Sequence, residues 1–418
     1  MLPTSDAVVE CPGCGALQTL VDARAPATMS CGRCGATLRQ ARTASVLFCA
    51  ISGALGLALF GLALLLPTAR VWVRGGRLVV SYLTNGPESL RARGSWELAL
   101  AVVLTLFAWP LFKFVAVLGM ALGVWLEKTP RVLKAPFAFV TRNAEWAMID
   151  VFLLGTMIAL IRLRAWTEVA YGPALFALCG AALCSLGIDA ALDRTAFWCR
   201  VRLAPRAQAP AAASDIGCHF CALVTRAEEG TRCPRCGLRL HARKRESVRR
   251  TWALCVTAAL LAIPANVLPV MTITKLGRGG PKTILGGTVE LARTGVWWLA
   301  IIVFVASVIV PIVKVVGLSI LLVSTKRCSR AQLVLRTRAS RVIALIGRWS
   351  MVDIFATMTL VTLARFGWLG TVLPEPGAIA FCAVALLTLL ASDAFDPRLM
   401  WDAAGMNARP SAPGGAAP

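Results

Sequence analysis

Runs of apolar residues recur along the chain at a length that a soluble helix does not need. The hydrocarbon core of a bilayer takes about 20 apolar residues per helix. Eight stretches meet that length, in two sets of four. The first set is 44–66, 96–124, 146–165 and 169–191. The second is 252–270, 296–323, 349–367 and 376–394. Two of these are interrupted: 252–270 carries Pro264, Asn266 and Pro269, and 146–165 carries Asp150.

The polar stretches between them have their own pattern. After the first run of each set comes a segment that alternates or turns. Val71-Trp72-Val73, Gly75-Gly76 and Leu78-Val79-Val80 predict a short hairpin, and Met271–Gly287 carries the counterpart Gly279-Gly280-Pro281. Ser329–Ile346 mixes Leu333, Val334, Val342 and Ile343 with Arg336, Arg338 and Arg341. That pattern fits an interfacial amphipathic helix or a plain basic loop. Pro264–Pro269 reads as a helix cap with a turn, or as a wedge that opens a lateral path from lipid.

The chain repeats itself at an offset of about 200–207 residues. Pro110-Leu-Phe-Lys113 matches Pro311-Ile-Val-Lys314. Trp146-Ala-Met-Ile-Asp150 matches Trp349-Ser-Met-Val-Asp353, and Asp189–Asp193 near Trp198 matches Asp393–Asp396 near Trp401. An even number of spans per half inserts both halves the same way up, as parallel repeats. The expected division is a small metal module at 1–43, four spans at 44–203, an Ala/Pro linker at 204–217, a second module at 218–250, four spans at 251–401 and a tail at 402–418.

Composition agrees with this reading. Hydrophobic residues are 57% and charged residues 16% of the 418, against about 45–50% and about 25% in soluble domains. Mean hydropathy is +0.71. A disordered chain, a small disulfide scaffold and an ordinary cytosolic enzyme are excluded. The net charge of +23 does not indicate nucleic-acid binding, because Lys and Arg collect in cytoplasmic loops. The first 40 residues are polar, hold four Cys and lack a signal-peptide core, so the N-terminus is expected in the cytosol. About 30 of the 44 Lys and Arg then fall inside, and eight spans return the C-terminus there too. Arg70–Arg93, with five Arg on the expected outside, is the discordant loop.

Eight of the 15 Cys form four CxxC pairs. Cys11/Cys14 and Cys31/Cys34 make one set; Cys218/Cys221 and Cys233/Cys236 make the other. A CxxC turn points two thiolates at one ion, and two such turns complete a tetrahedral sulfur site. Zinc in a ribbon of the rubredoxin type is expected, with iron as the alternative. Four thiolates leave no place for water, so the sites read as structural. His219 and His241 are expected at the surface rather than as ligands.

Charged groups at membrane depth are costly and mark candidate functional positions. Lys113 and Lys314 each follow a Pro by three residues on a second span; Asp150 and Asp353 each follow a Trp by four on a third. At ~1.5 Å per residue, Lys314 lies ~13 Å, Asp353 ~6 Å and Thr388 ~9 Å from the inner ends of their spans. Ser307 is seven residues before Lys314 and faces the same way. Ser307, Lys314, Asp353 and Thr388 are expected to form one polar column, with Lys113 and Asp150 a less complete version in the first half. Carboxylates in a low dielectric can titrate near neutral pH, as a proton relay needs. The competing reading is a structural ion pair that pins two helices.

Together these residues carry a resemblance. The two CxxC modules, Pro264-Ala-Asn-Val-Leu-Pro269, the P-x-x-K helices, Trp349-Ser-Met-Val-Asp353 and the terminal Ser392-Asp-Ala-Phe-Asp-Pro-Arg-Leu-Met-Trp-Asp402 are similar to the paraquat-inducible protein A family, also called LetA-like. The resemblance covers nearly the whole chain. It implies an all-α polytopic protein of the inner membrane of Gram-negative bacteria. Each four-helix bundle would be of tetraspanin or claudin type with a small outside sheet. It implies phospholipid as cargo and a periplasmic MCE-domain tunnel protein as partner, with no enzymatic activity. No phosphate-binding G-x-x-x-x-G-K-[ST] loop is present, so proton flow through Lys314 and Asp353 is the candidate drive. A metal- or thiol-redox membrane protein and a passive anchor for the partner are the competing readings.

Overall fold

The computed structural model describes residues 7–20, 28–39, 46–73, 77–126, 131–164, 168–192, 197–198, 214–275, 278–293, 295, 297–328, 330–363 and 370–407. The Gly75-Gly76 turn, most of the Ala/Pro linker and the end of the tail lie outside them, as does the side chain of Asp353.

The first repeat opens with two short hairpins, β1 (Ala7–Glu10) with β2 (Leu17–Leu20) and β3 (Met29–Ser30) with β4 (Thr37–Arg39). Then come α1 (Val46–Leu65), β5 (Pro67–Val73), β6 (Arg77–Tyr82), α2 (Asn85–Ala92) and α3 (Trp96–Val102). A π-turn (Val103–Ala108) joins α3 to α4 (Trp109–Trp125). The repeat ends with α5 (Arg131–Arg142), α6 (Ile149–Arg164), β7 (Glu168–Tyr171) and α7 (Pro173–Ala191). The second repeat follows the same order. It runs β8 (Ser214–Gly217), β9 (Val224–Ala227), α8 (Ser247–Val267), β10 (Met271–Lys275), β11 (Arg278–Lys282), α9 (Ile284–Arg293) and α10 (Trp297–Phe304). A second π-turn (Val305–Ile309) leads to α11 (Val310–Lys326), then α12 (Leu333–Gly347), α13 (Val352–Leu363), β12 (Gly370–Pro374), α14 (Pro376–Ala394) and α15 (Arg398–Ala403).

Among the described residues, seven helical runs are long and apolar enough to cross a membrane: Val46–Leu65, Trp96–Trp125, Pro173–Ala191, Ser247–Val267, Ala300–Lys326, Leu333–Thr362 and Pro376–Ala394. An eighth apolar stretch, Ile149–Ile161, is shorter. The protein is therefore multi-pass and mostly helical. Several expected ends move for local reasons. The fourth span begins at Pro173, because Glu168–Tyr171 is a strand and Pro suits the first helical position. The fifth runs Ser247–Val267 rather than 252–270. Pro264 is tolerated one turn from its end, Leu268 N–H closes on Pro264 O at 2.9 Å, and the rest of Pro264–Pro269 is the turn into β10. The seventh starts with a 3₁₀ turn, Arg348–Met351, and Leu333–Gly347 is the helix form of the basic segment. The amphipathic α5, with its internal Pro136, has no counterpart in the sequence reading.

The two π-turns sit at equivalent places, immediately before Trp109-Pro110 and Val310-Pro311. Pro offers no N–H to the carbonyl four residues back and its ring crowds that carbonyl. A wider π-turn relieves the conflict without ending the span.

Each repeat also builds a three-stranded antiparallel sheet at the end of the helices opposite the cysteine modules, where the sequence predicts a hairpin. The third strand comes from the connection between the third and fourth spans. Val71 of the central β5 is flanked by Val79 and Val169; Thr272 of β10 is flanked by Pro281 and Leu373.

The repeats meet along their third spans. Phe152 of α6 packs edge-on against Phe355 of α13 at 5.6 Å, and Thr156 Oγ1 lies 3.4 Å from Thr359 Oγ1. Each pair joins a residue to its own counterpart 203 positions away, so a pseudo-twofold axis passes between the helices. Gly155 makes the approach possible: a Cβ there would stand 2.7 Å from Val352 O and 2.9 Å from Phe355 Cβ. Ser89 Oγ of α2 adds a contact to Thr362 Oγ1 at 3.2 Å.

Candidate metal centres and membrane polar groups

Each cysteine module closes on four buried sulfurs that lie within 4.8 Å of one another. Cys11 and Cys34 Sγ are 3.5 Å apart and Cys14 and Cys31 Sγ 3.6 Å apart. In the second module the distances are 3.7 Å for Cys218–Cys236 and 3.5 Å for Cys221–Cys233. A tetrahedron of metal–sulfur bonds ~2.3 Å long has sulfur–sulfur edges of about 3.8 Å, so the donor sets fit a tetrahedral ion. The turns are built for it. Cys11 N–H donates to Ala16 O and Gly15 N–H to Cys11 O, with Gly15 at φ 76°. At the equivalent corner after Cys221 the chain has Ala222, held at φ 58°, which glycine would adopt more readily.

The thiols bias one another. A hydrogen bond from Cys14 draws Cys11 down to about 5, against the opposing effect of burial. Burial pushes Cys34 up to about 11. In the second module, hydrogen bonds from Cys218 lower Cys233 and raise Cys236. Outside the sulfurs, Gln18 Nε2 donates to Cys31 Sγ at 3.2 Å, and Arg341 Nη2 donates to Cys34 O at 3.2 Å. The second bond ties the first module to α12.

The two modules are clamped together by the carboxylate of Glu10. It accepts from Gly217 N–H at 3.2 Å, Arg243 Nη1 at 2.8 Å and Arg398 Nη1 at 3.1 Å. The terminal Ser392–Asp402 segment supplies the rest of the clamp. Asp402 receives Arg243 Nε at 2.6 Å, Asp396 receives Arg398 Nη2 at 3.0 Å, and Trp401 Nε1 donates to Thr337 Oγ1 at 3.0 Å. Asn407 Nδ2 reaches Cys14 O at 2.7 Å. Burial pushes the Asp396 carboxyl up, but the Arg398 guanidinium and the backbone N–H groups of Lys244 and Arg398 hold it down to about 2. His219 is half-buried in this network rather than free at the surface. Its Nδ1 accepts from Arg398 at 2.9 Å and its Nε2–H donates to His241 O at 2.9 Å. Burial, then the Arg398 charge, lower its pKa to about 4.

Within the spans, both lysines are buried, at 2% and 1% exposure, and their partners differ. Lys113 Nζ donates to Ser185 Oγ at 2.8 Å, Ser185 O at 3.3 Å and Asp189 Oδ2 at 2.7 Å. The first-half column expected from Lys113 and Asp150 is therefore built on Ser185 and Asp189 of α7, while Asp150 sits half-buried in the first turn of α6. The i, i+4 spacing of Ser185 and Asp189 on one helix face is the signal that points to them. Lys314 Nζ donates to Thr388 Oγ1 at 2.7 Å and to Gly347 O at 3.5 Å. Ser307 is buried on the same helix, and its hydroxyl has no hydrogen-bond partner among the described residues. Ser350, which sequence reasoning passed over, is a second such hydroxyl. Asp353 lies on α13, within one turn of Ser350.

A cavity of about 650 Å³ lies between the modules and the helix ends. Glu10, Asp189, His219, Lys244 and Asp393 line it, and Leu389, next to Thr388, stands at its inner wall.

Two cysteine-ligand modules set beneath a duplicated array of apolar helices define a polytopic membrane protein built from parallel repeats. The family model for paraquat-inducible protein A matches residues 45–202 and 248–405, one match per repeat, and the chain belongs to that family. Among its relatives is the intermembrane transport protein PqiA of Escherichia coli (strain K12), 30% identical over 409 residues, covering 94% of this chain and 95% of that protein. The lipophilic envelope-spanning tunnel protein A of the same strain is 30% identical over 411 residues, 96% and 92% of the two chains. A probable intermembrane transport protein of Haemophilus influenzae is 24% identical over 289 residues, 68% and 70% of the two chains. No solved structure matches this chain.

Proposed function

We propose that this protein is the inner-membrane component of an intermembrane lipid-transport system. It loads or extracts phospholipid and passes it to or from a periplasmic MCE-domain tunnel. The modules and both termini face the cytoplasm, and the three-stranded sheets face the periplasm. The names of the relatives, intermembrane transport protein and envelope-spanning tunnel protein, support this reading along nearly the full chain.

The observation that carries the mechanism is the setting of Lys314. A lysine at membrane depth is expensive, and this one is held by a hydroxyl and a carbonyl of neighbouring helices. Lys314, Asp353, Thr388 and Ser307 form the proposed proton route. Thr388 holds the ammonium, Asp353 takes and gives the proton, and Ser307 extends the route outward. Lys113 and Asp150 belong to the less complete first half, where Asp189 neutralises the lysine.

Cys11, Cys14, Cys31 and Cys34, and Cys218, Cys221, Cys233 and Cys236, each hold one Zn²⁺ as a structural centre. The ion supplies folding energy to modules too small to form a core.

The test is lipid traffic between the membranes in cells carrying Asp353→Asn or Lys314→Met. Both variants insert and fold, and both lose transport. Normal traffic in both rejects the proton route and favours a passive anchor.

A further inference from the structure

We infer that the second repeat binds one ordered water at membrane depth between Ser307 and Ser350, and that Ser350 links Lys314 to Ser307. Ser307 is 3% exposed and Ser350 1%, and neither hydroxyl has a hydrogen-bond partner among the described residues. Ser307 sits in the π-turn Val305–Ile309 and Ser350 in the 3₁₀ turn Arg348–Met351. The two turns pack against each other. A buried hydroxyl with nothing to bond is destabilising. Two of them on touching turns call for a shared partner, and a water, which both donates and accepts, serves each.

The first repeat supplies the comparison. It has the same π-turn, Val103–Ala108, and a 3₁₀ turn, Ala144–Trp146, at the equivalent place. The positions of Ser307 and Ser350 are taken there by Leu106 and Ala147, both buried and apolar. Room for Pro110 or Pro311 is therefore not what calls for a serine in the π-turn. The lysines differ in step with these turns. An ammonium has three donors. Lys113 places all of them, on Ser185 Oγ, Ser185 O and Asp189 Oδ2. Lys314 has Thr388 Oγ1 at 2.7 Å and Gly347 O at 3.5 Å, so one donor has no acceptor among the described residues. The repeat whose lysine is fully bonded is apolar at these turns; the repeat whose lysine keeps a donor has two spare hydroxyls.

Chain order puts Ser350 between the groups it would connect. Gly347, whose carbonyl accepts from Lys314, ends α12 three residues before Ser350. Asp353 follows Ser350 by three residues in α13. Ser307 stands across from them on the neighbouring span. A bridging water passes a proton by accepting one on one side and releasing one on the other, so it is itself unchanged. The link rests on the proton route proposed above; the water site does not.

The test begins with the full chain in nanodiscs, imaged by electron cryomicroscopy at a resolution that shows ordered water. Wild type has one water about 2.5–3.0 Å from both Oγ atoms. Ser350→Ala, which gives the second repeat the side chain of Ala147, loses that water and melts like wild type. Absence of the water, or direct bonding of the two hydroxyls to each other, overturns the site. Lipid traffic in cells tests the link. Ser350→Ala slows it by about tenfold or more, and Ser350→Thr, which keeps the hydroxyl, restores it. Equal loss in both variants assigns Ser350 to packing and overturns the link. Unchanged traffic in Ser350→Ala overturns it too: where Asp353→Asn still abolishes transport, the proton route stands without Ser350, and where Asp353→Asn is also normal, the route falls with it.

Discussion

Lys113 and Lys314 hold equivalent places in the two repeats and answer the cost of burial in different ways. Lys113 has a carboxylate, Asp189, one helical turn beyond Ser185. In the second repeat the fourth span runs Pro376–Ala394 against Pro173–Ala191, so the corresponding positions are Thr388 and Ser392, and Asp393, one residue further on, pairs with Lys244. Lys314 is left with a hydroxyl and a carbonyl among the described residues. The depth of both lysines is readable in the sequence, because Pro-x-x-Lys fixes them within a span. Their partners are not: Lys side chains reach several ångströms, so the rotation of a neighbouring helix chooses between Asp150 and Asp189. Asp396 shows the same dependence on partners. Its pKa is depressed to about 2, below the ~3.9 of an unfolded chain. A depressed carboxylate stabilises the fold above the unfolded value, and that contribution of about 2 kcal/mol is lost as pH falls from ~4 toward about 2. Pepsin cleavage around Leu399 and Met400, normalised to an unfolded peptide, should rise across that interval. In Asp396→Asn it should be high throughout. A flat profile in the wild-type chain would remove Asp396 from the clamp.

At the scale of elements, the crossing of α6 and α13 joins the repeats, and Gly155 sets its distance. Gly155→Leu forces the helices apart against Val352 O and Phe355 Cβ, an overpacking that costs about 1–3 kcal/mol. Thermal unfolding in detergent should show the loss, while Gly61→Leu, with nothing within 4 Å of its Cβ position, should unfold like the wild type. Equal melting of the two variants would deny that the third spans bear the contact. The existence of these helices is legible in apolar runs, but their ends are less so. Glu168–Tyr171 reads as the start of a fourth span because a short strand feeding a Pro-initiated helix has no periodicity of its own. The π-turns before Pro110 and Pro311 are likewise invisible to hydropathy, which does not register a wider helical turn.

The whole molecule is closed at the module end by its own terminal segment, which touches both modules, α12 and the start of α8. The proposed metals matter to that closure. Purified protein should carry two zinc ions per chain by elemental analysis, and Cys31→Ser should carry one. Chelation of the remaining ions should also expose Arg243 and Arg398 to trypsin, since Asn407 and Glu10 anchor the clamp to the modules. Protection that persists after complete chelation would show that the clamp stands without metal.

Local order along the chain determined much by itself. Apolar run length settled that the chain is multi-pass and mostly helical, though not the number or ends of the spans, CxxC spacing settled the two four-cysteine clusters, and the recurrence of both settled the duplication, because each depends only on residues close in sequence. The tertiary structure decided that Lys113 pairs with Asp189, that a third strand completes each sheet, and that the Ser392–Asp402 motif is a clamp. Those outcomes rest on contacts between residues more than 60 positions apart. Such contacts are set by how helices rotate and cross, and no local pattern records that geometry.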